Sequence, residues 1–275
     1  MKYRFVRERE NYEDYASGRV LLGMPGNPAF PVRLASEVFQ RCAAIHRAQG
    51  RTGPFRLYDP CCGAAYHLTV IGYLHLEQVR RIVGSDIDPN VLDLAEQNLA
   101  MLSPVGLGRR MVQLTAMRDA FGKRSHADAL ASAERLRDRL RAWPAGQYAQ
   151  VRLFLADATD PAALGRALEG EQIDIVFTDV PYGWHSEWQT VENPDAGREM
   201  PRTVRSTGSV WLMLESLRGV LAERTVVAVA ADKAQEVVHA AYQRLQRLKV
   251  GKRQVVILRP LAHGGRTAHS RAGRV

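Results

Sequence analysis

Residues 55–69 read FRLYDPCCGAAYHLT. A short apolar strand (Phe55, Leu57, Tyr58) runs into a turn of small residues (Cys61, Cys62, Gly63, Ala64, Ala65), and an apolar helix follows from His67 to Leu76. Strand, tight turn and helix in this order form the unit by which an open parallel sheet holds an adenosine cofactor. Small turn residues let the backbone approach the ligand closely. Neither G-x-G-x-x-G nor Gly-Lys-Ser/Thr is present, which argues against a dinucleotide fingerprint and a phosphate loop. Asp59 stands at the strand end. A carboxylate there repels a pyrophosphate but suits a cationic amine, which tilts the reading from NAD to S-adenosyl-L-methionine. An ordinary strand and helix joined by small residues is the competing reading.

The rest of the chain bounds the answer. Its 275 residues suffice for one large or two small domains. No apolar run is long enough for a membrane span, and the charged N-terminus MKYRFVRERE lacks the apolar core of a signal peptide. Three cysteines, two of them adjacent, make neither a disulfide framework nor a metal-type spacing, so a reducing cytoplasm is expected. The net charge of +9 points to a polyanionic partner, nucleic acid first. A coding bias toward arginine is the alternative.

Before residue 55 the sequence reads as a polar, aromatic arm, a Pro/Gly loop (Met24–Pro31) and an amphipathic helix from Val32 to Ala48. After the central unit, a second strand ends at Asp86, 23 residues beyond Gly63. An acid at that place accepts hydrogen bonds from ribose hydroxyls. Asp88, followed by Pro89, reads as the cap of the next helix, although the opposite assignment of Asp86 and Asp88 stays open. Residues 103–150 are too long for a plain connection and read as two helices. They carry nine basic against four acidic residues, a net of +5. Either Arg109, Arg110, Lys123 and Arg124 grip a phosphate backbone, or the helices are a solvated, ion-paired face.

A third strand ends near Asp157, which is expected to meet the adenine edge or to cap the next helix. Ile173 to Asp179 is a continuous apolar run, the mark of a central strand buried on both faces. It leads into Asp179-Val180-Pro181-Tyr182. An acid and a backbone carbonyl can hold a base's amino hydrogens while an aromatic ring stacks the base, so Asp179, Pro181 and Tyr182 are the candidate catalytic residues. No cysteine lies near Asp179, which excludes a pyrimidine carbon-5 mechanism. Cys61 and Cys62 read as small turn residues beside the cofactor. Then follow a long polar loop (184–209), a helix from Val210, a strand from Thr225, a helix from Ala234 to Leu248, and a hairpin turning at Gly251-Lys252-Arg253. The tail from His263 is expected to be disordered.

These segments resemble class I S-adenosylmethionine-dependent methyltransferases, and among them the avilamycin-resistance family that modifies a guanine of large-subunit ribosomal RNA. The likeness rests on PGNPAFPVRLASEVFQR (25–41), DPCCGAAYHLTVIG (59–72), SDIDP (85–89), NLAMLSPVGL (98–107), TDVPYG (178–183) and LQRLKVGKR (245–253). It implies an α/β, Rossmann-like fold with a mainly parallel seven-stranded sheet and a helical insertion. The catalytic domain would span 55–262, with an extension at 1–54, the insertion at 103–150 and a basic tail at 263–275. It implies S-adenosyl-L-methionine held by Asp59, Gly63, Asp86 and Asp157, an acceptor base near Asp179 and Tyr182, and a monomeric enzyme on 23S RNA, with antibiotic resistance as a role. Lys252 and Arg253 join the candidate RNA contacts. Two residues depart from the usual pattern: Ala65 replaces a second turn glycine, and Val180 replaces the first proline before the aromatic.

Overall fold

Five strands run parallel: β1 (Phe55–Asp59), β2 (Val79–Asp86), β3 (Gln150–Leu155), β4 (Ile175–Asp179) and β5 (Val226–Asp232). β6 (Tyr242–Val250) and β7 (Arg253–Pro260) complete the sheet as an antiparallel hairpin. The order is β3-β2-β1-β4-β5-β7-β6. The chain steps outward from β1 through β2 to β3, then returns to β4, so the topological switch falls between β1 and β4. This computed structural model describes residues 2–24, 28–180 and 205–262, the side chains of 205–207 excepted.

Burial on both faces explains the near-continuous apolar strands. Leu57, Ile82 and Phe177 pack on α1 (Val32–Arg47), α2 (Tyr66–Leu74) and α3 (Pro89–Ala100), and α4 (Pro104–Phe121) and α5 (Arg124–Arg141) extend the same core. Tyr58, Val83 and Val176 pack on α6 (Pro161–Ala167) and α7 (Arg205–Arg218). α3, α4 and α6 start alike, with Asp88, Ser103 or Asp160 capping and a proline at the first helical position. Among the described residues no helix is long and apolar enough to cross a membrane.

The structure corrects one element. No helix spans 234–248: the chain turns after β5 and enters β6 at Tyr242. The register of β6 against β7 shifts between Arg244 and Gln246. This bulge breaks the period of two and leaves Tyr242, Leu245 and Leu248 three residues apart, a helical spacing. The hairpin turn falls at Gly251-Lys252 as expected, with Gly251 at φ +57°. α7 starts at Arg205, earlier than the apolar pattern from Val210 indicates.

The N-terminal arm is tied down at successive points. Glu37 of α1, fully buried, accepts the backbone N–H groups of Arg4, Phe5 and Val6 at 2.8, 2.9 and 3.0 Å, and the Arg41 guanidinium at 2.7 Å. Further along, Arg135 pairs with Asp14, Tyr66 donates to the Tyr15 carbonyl, and Arg110 donates to the Val20 carbonyl at 3.0 Å. One carboxylate anchoring three amides is a strong constraint, so Glu37→Gln is expected to cost about 1–3 kcal/mol in urea unfolding. Amide exchange should accelerate at residues 4–6; unchanged exchange there would show that Glu37 is not the anchor.

Candidate active site

The carboxyl ends of β1, β2 and β4 bring Asp59, Asp86 and Asp179 to one edge of the sheet, at the switch point where open α/β sheets bind ligands. The turn after β1 is built from backbone bonds. Cys61 N–H donates to Asp59 Oδ1 at 3.0 Å, Cys62 N–H to the Ser85 carbonyl at 2.8 Å, and Gly63 N–H to Asp86 Oδ2 at 2.8 Å. The turn thereby lies against the end of β2. Gly84 makes room for it, because a Cβ there would sit 2.8 Å from Leu153 Cδ2 and 3.1 Å from Cys62 Sγ. Gly63 and Ala65 both take left-handed backbone, at φ +51° and +52°. That conformation costs an alanine about 1–2 kcal/mol, which explains why glycine is usual at this place.

Asp59 is fully buried. Its Oδ2 faces His67 Nε2 at 3.2 Å, yet that nitrogen is directed to the Phe177 carbonyl, also 3.2 Å away, and Oδ2 is left without a hydrogen bond. Burial pushes the Asp59 carboxyl up to about 7, opposed by the Cys61 N–H and the Thr178 hydroxyl and reinforced by the charge of Asp86. Burial also lowers the His67 imidazole, against the pull of Asp179. His67, wedged against Phe30 and Phe177, is therefore a neutral group between the acid of β1 and the acid of β4.

The other predicted residues are placed as follows. Asp86 is half-buried and raised by burial; besides Gly63 it takes the Asp88 N–H at 3.1 Å. Asp88 caps α3 through Asn90 N–H at 2.9 Å. Asp157 lies two residues past β3 and holds both the backbone and hydroxyl of Thr159, at 2.8 and 2.7 Å. Burial, then the charges of Asp59 and Asp86, push the Cys61 and Cys62 thiols well up, so neither is a nucleophile. Val180 is buried and its N–H bonds the Ala230 carbonyl at 3.0 Å; a proline there would remove this bond. Pro181 and Tyr182 lie outside the described residues, as do most of the loop 184–209 and the tail from 263.

Among the basic candidates, Arg109, Lys123, Arg124 and Lys252 are exposed. Arg110 is half-buried and holds the arm. Arg253 lies over the Phe30 ring, 5.5 Å from its centroid. Arg253 pairs in register with Asp232 at the end of β5, which puts the hairpin turn on the same edge as the acids. Sequence reasoning missed His67 and Thr178. The available signal was a histidine one residue into an otherwise apolar helix.

A mainly parallel sheet with this order and an antiparallel β6–β7 hairpin, a small-residue turn after β1 and acids at the strand ends define a class I methyltransferase. A family described as rRNA methyltransferase AviRa matches residues 1–253, and the chain belongs to that family. The 23S rRNA (guanine(2535)-N(1))-methyltransferase of Streptomyces viridochromogenes is 42% identical over 259 residues, covering 94% of this chain and 95% of that protein. Two solved structures of the rRNA methyltransferase aviRa from the same organism, at 2.4 and 1.5 Å, superpose with a TM-score of 0.79 at 39% identity, covering 94% of this chain and 96% of theirs. The chain is thus a methyltransferase, which requires a methyl donor.

The folded protein holds the Asp59 proton more tightly than the unfolded chain does, where the carboxyl titrates near 3.8. Its contribution to stability is complete below about pH 4, shrinks as pH rises, and is lost above about pH 7. Without a bound ligand, Asp59→Asn is expected to gain stability relative to the parent across that window and to hold a constant advantage above it. Urea midpoints at several pH values measure the difference, and a pH-independent difference would refute the buried, raised carboxyl.

Proposed function

We propose that this chain transfers a methyl group from S-adenosyl-L-methionine to N1 of a guanine in 23S ribosomal RNA. The observation that carries this reading is the buried Asp59 carboxylate, with one oxygen lacking a hydrogen bond beside the Gly63 turn, one strand away from Asp179. The residues fit the cofactor. Asp59 Oδ2 offers an acceptor to the methionyl ammonium, Asp86 to the ribose hydroxyls and Asp157 to the adenine edge. Gly63 is open among the described residues: a Cβ there would meet Met24 Cε alone of them, at 3.9 Å. When bound, the cofactor supplies a methyl group on a sulfonium, already activated for attack.

The protein's own task is to aim and deprotonate the base. Neutral guanine carries a proton on N1. As the N1–CH3 bond forms and the S–CH3 bond breaks, that proton must leave. We assign that proton to the Asp179 carboxylate, the orienting of the amino edge to the Pro181 carbonyl and the stacking of the base to Tyr182. A neutral His67 adds no positive charge beside a cationic donor. Arg109, Lys123, Arg124, Lys252 and Arg253 supply phosphate contacts. The catalytic unit is assigned to residues 55–262, carrying the insertion 103–150 and preceded by the arm and α1, and acts as a cytoplasmic monomer where ribosomes are assembled. Resistance to a ribosome-targeting antibiotic fits the same reading.

The test is transfer of tritiated methyl from S-adenosylmethionine to 23S RNA, naked or in subunits, beside tRNA and DNA. Label is expected in 23S RNA, at a guanine that arrests reverse transcriptase because its pairing N1–H is gone. Asp179→Asn is expected to lower kcat by roughly 10²–10³ while cofactor affinity stays within about twofold. Label confined to another acceptor would refute the substrate, and a fully active Asp179→Asn would refute the role of Asp179.

A further inference from the structure

The side chain of Asn98 on α3 is fully buried and uses its whole amide on two pieces of backbone. Its Oδ1 accepts the Leu22 N–H at 2.7 Å. Its Nδ2 donates to the Leu22 carbonyl at 3.0 Å and to the Ala64 carbonyl at 2.7 Å. Leu22 belongs to the N-terminal arm, and Ala64 to the turn between β1 and α2. One side chain thus fixes the spacing between arm and turn. Two residues along the arm, Met24 places its terminal methyl over Gly63. Gly63 is the residue whose N–H reaches Asp86.

We infer that Asn98 is a positioning residue for the cofactor site, and that the arm segment Leu22–Met24 is the outer wall of that site. The inference rests on the reading of this turn as the S-adenosylmethionine site. The insertion serves the same wall. Arg110 of α4 holds Val20, and Arg135 of α5 holds Asp14, so these two basic residues brace the arm. The Asn98 amide matches backbone donor and acceptor at Leu22 and adds a second acceptor at Ala64. Alanine leaves one N–H and two carbonyls to find other partners, so the arm can lift from the turn without the sheet changing. Asn98→Asp keeps an acceptor for the Leu22 N–H and loses both donors.

Titration calorimetry with S-adenosylmethionine and S-adenosylhomocysteine tests this on the full chain. Asn98→Ala is expected to weaken both ligands by about tenfold or more, and Asn98→Asp at least as much, because a buried carboxylate oxygen then faces the Leu22 and Ala64 carbonyls. In turnover, KM for the cofactor should rise while KM for 23S RNA is unchanged and kcat at saturating cofactor stays within about threefold. Met24→Ala, half-buried and safe for folding, should weaken both ligands several-fold. Glu37→Gln, which frees the arm only at residues 4–6, should leave their affinity unchanged. Unaltered affinity in both Asn98→Ala and Met24→Ala would overturn the inference, as would an equal loss in Glu37→Gln, which would mark general destabilisation. Failure of the unsubstituted protein to bind either ligand would instead overturn the cofactor reading itself.

Discussion

The bond from Gly63 N–H to Asp86 Oδ2 ties the turn after β1 to the end of β2, beyond the last residues that the two strands pair, Asp59 and Gly84. The turn after β1 has few side chains to hold it, and two of its residues sit in left-handed backbone. Its shape is set by where its amides go: one to its own strand acid, one to a β2 carbonyl, one to the β2 acid. Asp86 therefore has a structural duty before it meets any ligand, and the carboxylate that suits a ribose is the one that shapes the turn. Removing a Cβ at Gly84 lets the turn lie flat against β2. The site is thus preorganised by backbone, which suits a reaction whose main demand is aim.

Charge is arranged with the same economy. On the proposed reading the donor brings positive charge and the site offers it carboxylates, while burial keeps the nearby histidine neutral. Asp59 is the costly member. Buried with one oxygen lacking a hydrogen bond, it holds its proton to near neutrality, and on the proposed reading its charge is matched by the cation of the donor. Much of the basic charge lies elsewhere. In the insertion it divides between residues such as Lys123 and Arg124, which face solvent, and residues that hold the arm, the half-buried Arg110 and the exposed Arg135. Net charge alone cannot separate the two uses, because a guanidinium bonded to a carbonyl and one facing solvent count alike.

The parallel core was legible because its signals are local: apolar runs, small turn residues, capping acids before prolines. Asp59, Gly63, Asp86 and Asp179 stood out for the same reason, each closing a strand or opening a turn. His67, Thr178 and Asn98 did not, since their meaning depends on neighbours far along the chain, as Phe177 is for His67, 110 residues away. The one misread element, β6, failed on period. A strand with a bulge presents its apolar residues at three-residue intervals, and a helix-prone composition around Ala240 and Leu245 completed the disguise.

That bulge has a further effect. Among the described residues β6 is an end strand of the sheet, with one row of backbone groups that no neighbouring strand pairs. A flat, apolar strand in that position would template the addition of another chain. Here the strand shifts register between Arg244 and Gln246 and sets Gln243, Arg244, Arg247 and Lys249 toward solvent. A register shift and outward-facing charges are the means by which edge strands are kept from pairing with another chain, and β6 carries both.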